Sequence, residues 1–464
     1  MSEHENRSHL ATVPVPKLML KMALPAVVAQ IVNLLYNIVD RIYIGHIPQV
    51  GADALTGVGL CMPLILLINA FAMLAAAGGA PRAAIALGQG NKSEAEKIMS
   101  NCITMLLLVG LALTAMYEVF ARPMLMLFGA SEATVGYGLE YIRVYAIGNV
   151  FTLIVLGMNS FITAQGYPTF AMVTTLIGAG INIILDPIFI TTFGLGVRGA
   201  AIATVISQTI SCLWVLHFLV LGKKTHLRLR KLRLNWSVCV PCLALGASGF
   251  VMLSTEAVLN ICFNSSLSRF GGDMAVGAMT IISSCTNLVL LPCSGICQGC
   301  QPIISYNFGA GNPERVKKCV VLQIAVCGGY TLLFWAFCML FPQVLANIFS
   351  NDPQLVEYTI WTMRVYMAGI FAMGFQTSCQ QSFVALGQAK VSLLLACLRK
   401  LILLIPLIFV LPLLFENKVL AVFLAEPISD VIAASVTITV FILQFKKILK
   451  NGPARIGQEK EKPC

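Results

Sequence analysis

Residues 222–235 read Gly-Lys-Lys-Thr-His-Leu-Arg-Leu-Arg-Lys-Leu-Arg-Leu-Asn. Lys223, Lys224, Arg228, Arg230, Lys231 and Arg233 put six cations and no acid into one stretch, in a chain that is 11% charged and 58% hydrophobic. Soluble domains hold charge near one quarter and apolar content near one half. The stretch lies close to the middle of 464 residues, and long apolar runs flank it on both sides. It therefore reads as a basic cytoplasmic linker between two membrane-embedded halves. A nucleic-acid patch is excluded by neighbours that could not stay in water.

Working outward, apolar windows recur roughly every 35 residues. A bilayer asks for about 20 apolar residues per helix, which gives about twelve spans. Backbone groups in lipid must be satisfied internally, leaving helices or a closed barrel. Runs such as 102–117 are continuous rather than alternating apolar, so helices are expected. The spans are placed at 18–45, 53–79, 98–118, 139–164, 170–192, 197–221, 237–262, 275–299, 317–341, 357–385, 391–414 and 419–445. Of 31 Lys and Arg, Arg41, Arg122, Arg143, Arg198, Arg269, Arg364 and Lys418 fall on the outer side or at outer span ends. The others fall on inner loops and tails, a positive-inside bias that places both termini in the cytoplasm. The net charge of +11 is thus a topology signal.

The expected division is a cytoplasmic tail over 1–17, an N-lobe over 18–221, the linker over 222–236, a C-lobe over 237–445 and a cytoplasmic tail over 446–464. The first 17 residues lack the basic start and short apolar core of a signal peptide, so the first span is expected to insert uncleaved. The tail from Asn451 reads as disordered. Most of the 16 cysteines fall inside spans, where thiols serve as small apolar groups. Cys297 and Cys300 form a CxxC without a second pair or a flanking His; helix packing is expected and no metal site.

The two halves echo each other at an offset of 221 residues. Gly88-Gln-Gly-Asn91 matches Gly309-Ala-Gly-Asn312, and Arg143-Val-Tyr145 matches Arg364-Val-Tyr366. Phe128, Ala164 and Gly166 match Phe349, Ala385 and Gly387. Asn91 followed by Glu94 reads as a capping box. Six spans per half give both halves the same orientation. This is the parallel-repeat layout of secondary transporters, with a central cavity between lobes. The fold expected is therefore an all-α polytopic membrane protein of two pseudo-symmetric six-helix lobes.

Intramembrane carboxylates are functional candidates by default, because each costs a few kcal/mol. Asp40 ends a helical stripe with Gln30, Asn33 and Asn37. Asp186 follows Asn182 by one turn, and Thr204, Ser207, Gln208 and Ser211 line one face of the sixth span. Three such helices can close around a small hydrated pocket that takes up a proton or shares a cation. Pairing of Asp40 with Arg41 is the plainer alternative, weakened because adjacent helix positions point about 100° apart. In the second half Glu256 and Asn260 share a stripe, as do Gln376 and Gln380, and Glu426 and Asp430 lie one turn apart. Glu256 is a cavity candidate for attracting cations; Glu426 and Asp430 read as structural or gating. Tyr36 and Met62 are candidate wall residues. Tyr137, Tyr141 and Tyr145 read as interfacial anchors.

The six-plus-six plan, the GxGN loops, Asn182-Ile-Ile-Leu-Asp-Pro187 and Ala425-Glu-Pro-Ile-Ser-Asp430 resemble the multidrug and toxic compound extrusion (MATE) family, in its DinF-like and MepA-like branch. That resemblance spans Pro16 to Phe445. It implies that Asp40, Asn159, Asn182, Asp186 and Thr204 form a coupling-ion site for H+ or Na+. The NorM-like branch has a C-lobe cation site with an acid in the tenth span; residues 365–385 contain none, which puts that site in doubt. The function expected is secondary active export of small organic, mainly cationic compounds across the cytoplasmic membrane, by a monomer needing no cofactor. A flippase for lipid-linked substrates is the alternative and should carry cavity-facing Arg or Lys. An intramembrane enzyme is disfavoured, since the spans hold no HExxH or GxSxG, and His4, His9, His46, His217 and His226 all fall in tails or near span ends.

Overall fold

The structure is a computed structural model and describes residues 9–47, 50–128, 130–132, 134–222, 225–229, 231–350 and 352–453. The first eight residues, the tail from 454, and Lys223, Lys224 and Arg230 of the linker lie outside the described residues. Among the described residues twelve long helical segments follow one another. α1 is Val15–Gly45, α2 Met62–Gly88, α3 Lys92–Leu127, α4 Val135–Ala164, α5 Pro168–Pro187 and α6 Gly196–Leu221. A helical stretch Trp236–Gly309 is broken at Gly272 (φ 62°, ψ −159°) into α7 over 236–271 and α8 over 273–309. α9 is Pro313–Leu340. α10 runs from Pro353 to Ala385, α11 from Ala389 to Leu414, and α12 is Lys418–Asn451. Nearly all are long and apolar enough to cross a membrane.

The breaks follow local chemistry. The second span was expected from 53, but a short helix Gly51–Gly59 precedes α2, which starts at Met62 beside Pro63. Proline lacks an N–H and suits a first turn, so it restarts a helix readily. α5 loosens into a π-turn over Ile188–Thr192 directly after Pro187. α11 does the same over Leu398–Leu404, just before Pro406, whose ring displaces the carbonyl four residues back. α10 tightens to a 3-10 turn over Met367–Ala372. There Gly369 lies so close to Pro427 of α12 that a Cβ would stand 2.7 Å from the Pro427 Cα.

The repeat is written in the backbone. Gly90 and Gly311 both take positive φ (76° and 70°), and Asn91 N donates to Ala86 O as Asn312 N donates to Asn307 O, each at 2.9 Å. Gly166 and Gly387 (φ 91° and 73°) repeat the motif, with Tyr167 N to Ile162 O and Gln388 N to Phe383 O. Each is a left-handed glycine closing a helix with a six-to-one hydrogen bond. At Asn91 the expected capping box is half formed: its Oδ1 accepts from Glu94 N at 3.1 Å. The reciprocal half has no donor to use, because the Asn91 N–H already closes α2, and Glu94 pairs with Lys97 at 3.2 Å instead.

The chain forms two compact units. One holds Val28–Leu253; the other holds the chain up to Val27 and resumes at Ser254. Both divisions fall inside helices, α1 and α7. The first unit's core gathers α2, α3 and α4 around Phe161, Tyr117 and Met99. The second packs Phe423, Met367 and Cys285. Part of the linker is ordered against the first unit: Gln165 Oε1 accepts from Thr225 Oγ1, His226 N and Leu227 N at 2.8–2.9 Å.

Candidate functional site

In the unit of Val28–Leu253, α1, α2, α4 and α6 enclose a cavity of about 220 Å³ lined by Tyr36, Asn37, Asp40, Met62, Tyr141, Tyr145 and Thr204, among others. Asp40 is 8% exposed and its Oδ1 has no hydrogen-bond partner. Asp186 is fully buried on α5, within electrostatic range of Asp40. Asn182, one turn earlier, donates from Nδ2 to Asp186 Oδ1 at 3.0 Å and towards Thr204 Oγ1 at 3.4 Å. The Thr204 hydroxyl itself donates to Ala200 O at 3.0 Å, so it presents lone pairs inward. Asp186 Oδ2, Asn182 Oδ1 and Asn159 Oδ1 are buried acceptors without donors. Buried polar atoms are nearly always satisfied, and here the exceptions concentrate on oxygens.

Asp40, Asn182, Asp186 and Thr204 are thus brought together. Asn159, half-buried on α4, shares their orphaned-acceptor character but does not line the cavity. Tyr36, Asn37 and Met62 form its wall; Asn33 and Gln208 do not line it. Asn37 donates to Asn33 O at 2.6 Å. Among the described residues no ion pair joins Asp40 to Arg41, although Arg41 also lines the cavity. Tyr141 and Tyr145 are buried, stacked at 6.0 Å and part of the cavity wall rather than interfacial anchors. Their spacing of four residues puts both on the inward face of α4.

The other unit holds a second set of buried charges, and here sequence reading missed two members. Arg399 donates from Nε to Asp430 Oδ1 at 2.9 Å and from Nη2 to Glu426 Oε1 at 3.0 Å. Lys400 pairs with Glu256. Arg399 and Lys400 are only 8% and 6% exposed, so neither belongs with the cations of an inner loop, where charge counting had put them. The signal was available: two adjacent cations interrupt an otherwise apolar run, and α12 carries two acids one turn apart. The π-turn of α11 carries both residues, and Ser429 Oγ holds the Arg399 carbonyl at 3.0 Å. Asn260 donates to Glu256 O at 3.0 Å, and Gln376 donates to Gln380 at 2.7 Å. Among the described residues no group of three or more His, Cys, Asp or Glu is placed to hold a metal.

Two tandem stretches, 25–188 and 249–410, match the MatE family model, one in each sequence half. The chain belongs to the MatE family. It is 26% identical over 407 residues to the multidrug export protein MepA of Staphylococcus haemolyticus, covering 86% of this chain and 87% of the relative. It is 25% identical over 416 residues to an FAD transporter of Shewanella oneidensis, covering 87% and 89%. Its fold is that of a MATE crystal structure in the bent conformation, with TM-score 0.88 over 95% of this chain and 98% of that one, at 23% identity. The MatE chain is therefore a multi-pass membrane transporter, not an enzyme.

Proposed function

We propose that this MatE protein is a secondary active exporter of the cytoplasmic membrane, moving small organic cations outward against an inward flow of H+ or Na+. The carrying observation is the group of buried oxygens without donors, Asp40 Oδ1, Asp186 Oδ2 and Asn182 Oδ1. Carboxylates in a bilayer are costly unless neutralised, and the described residues offer these two no ion-pair partner. A proton or a sodium ion supplies the missing charge. Asn159 and Thr204 complete the coupling set, while Tyr36, Asn37, Met62, Tyr141 and Tyr145 give an aromatic and polarisable wall suited to cations.

An ion shifts a conformational equilibrium only through unequal affinity for its states. Ion loading at Asp40 and Asp186 changes the local charge, so helix packing that differs between states converts loading into motion. The expected arrangement is alternating access of two lobes, 18–221 and 237–445, joined by the 222–236 linker, with the 1–17 and 446–464 tails cytoplasmic. The working unit is a monomer, without cofactor.

Arg399 and Lys400 favour a second reading, transport of an anionic amphiphile, as in a lipid-linked flippase; the FAD transporter relative makes an anionic substrate concrete. Both cations are already held by Glu426, Asp430 and Glu256. Three carboxylates against two cations leave that cluster negative, so the cationic reading stands. Proteoliposome export of a fluorescent organic cation, under an imposed pH gradient or an imposed sodium gradient, tests it. Export driven by one gradient and lost in Asp40→Asn and Asp186→Asn upholds the proposal. Export that persists in both variants, or that responds only to FAD as substrate, sinks it.

A further inference from the structure

The third helices of the two halves, α3 and α9, differ in charge over their first turns: Lys92, Glu94, Glu96 and Lys97 in one, Glu314, Arg315, Lys317 and Lys318 in the other. At the 221-residue offset, Glu94 and Glu96 of α3 correspond to Arg315 and Lys317 of α9. In the first half the two glutamates are complemented by the chain itself. Glu94 pairs with Lys97, and Glu96 Oε1 accepts from the backbone N of Arg228 in the basic linker at 3.1 Å. In the second half Arg315 is already engaged: it donates to Leu10 O at 3.0 Å, Val13 O at 2.6 Å and Asn307 Oδ1 at 3.0 Å. That brace fixes the segment before α1 against the start of α9.

Between the two lies a cavity of about 610 Å³. Lys317 and Lys318 line it, both exposed, and among the described residues neither has an ion-pair partner. Glu314 also lines it, which leaves three cations against one acid. Further along α9 the lining turns apolar, with Val321 (57% exposed), Leu322 and Ala325. At 1.5 Å per residue these lie about 6–12 Å deeper along the helix than the lysines. Charge at the mouth and exposed aliphatic surface below it match a ligand with an anionic head and a hydrocarbon tail.

We propose that the pocket between Pro14–Pro16 and the first turns of α9 is a site for an anionic phospholipid, its phosphate on Lys317 and Lys318 and an acyl chain along Val321 and Ala325. Basic pockets at the ends of membrane helices recognise such head groups, and the α9 N-terminus adds partial positive charge on the same side. A free phosphate would use the lysines alone and leave the aliphatic stretch idle, so the lipid is the occupant the lining fits.

Native mass spectrometry of the full chain with equimolar phosphatidylglycerol and phosphatidylcholine tests the site. The expected result is selective retention of phosphatidylglycerol, weakened about fivefold by Lys317→Gln and again by Lys318→Gln. Lys97→Gln, at the position matching Lys318, should leave it unchanged. Equal retention of both lipids, or no effect of the two lysine substitutions, overturns the proposal. Displacement of the lipid by inorganic phosphate as readily as by a second phosphatidylglycerol also overturns it, by making the site a phosphate site. Retention that appears only after Glu3→Gln and Glu5→Gln assigns the pocket to the chain's own N-terminal segment and equally defeats it.

Discussion

Asp40 with Asp186, and Glu426 with Asp430, are pairs of buried carboxylates in the helices of one chain, yet they are held in opposite ways. Glu426 and Asp430 share Arg399 at 2.9–3.0 Å, and Lys400 with Glu256 extends the network. Asp40 and Asp186 receive one amide donor between them, from Asn182, and keep buried oxygens unmatched. A carboxylate closed by a buried guanidinium is neutralised permanently, and removing its partner leaves an uncompensated charge. A carboxylate without a cation can change its charge by taking one up. The difference separates a place where charge is fixed from a place where charge can cycle, and it is the ground on which coupling is proposed for the first unit.

The largest expected effect is on transport. Asp40→Asn or Asp186→Asn should abolish gradient-driven export while leaving thermal unfolding little changed. A large loss of Tm in either would put these acids in the same class as Glu426. Next comes stability in the other unit: Arg399→Met should cost about 3–5 kcal/mol by stranding two buried acids. Adding Glu426→Gln and Asp430→Asn should recover much of that loss in thermal unfolding. If export disappears but stability does not, the C-half cluster cycles too and the contrast fails. Asn182→Ala should weaken sodium-driven export about tenfold, by removing the orphaned amide oxygen Asn182 Oδ1 from the set that faces the ion, so export survives at a steeper sodium gradient. Gly369→Ala should cost about 1–3 kcal/mol through overpacking against Pro427, read from Tm, with coupling retained.

The smallest effect concerns pH. Burial and then the neighbouring Lys92 hold the His226 imidazole below its ordinary value. Its contribution is therefore complete above the free imidazole's range, near pH 6.5, and fades as pH falls through the lower folded value. Acidification should raise hydrogen exchange of the linker around Thr225–Leu227, and His226→Gln should remove that response without changing the pH dependence of export. This separates a linker effect from coupling at Asp40 and Asp186.

Sequence made the helices and the repeat legible because both are local. Apolar length marks a span, and a left-handed glycine at 90, 166, 311 or 387 marks an end. Asp40, Asp186 and Thr204 were legible as stripes on single helices, and the resemblance to a family joined them. The inward turn of Tyr141 and Tyr145 was not, because a tyrosine near a span end fits an interface equally well. Arg399 and Lys400 were hidden for a different reason. Their partners lie 27 to 144 residues away, and nothing within the apolar span 391–414 tells what two cations would pair with until α12 is placed beside them.

The division of α1 at Val27 and of α7 at Leu253 bears on how this protein can be dissected. Cutting the gene at the basic linker would look natural, yet neither fragment would encode a whole body. A second-half fragment begins without Leu10 and Val13, whose carbonyls hold Arg315. A first-half fragment ends before Cys242 and Gly246, which pack on Gly78 and Leu74 of α2. Separately expressed halves should accumulate only when made together, and a hybrid with a relative's second half must bring that relative's N-terminal segment along.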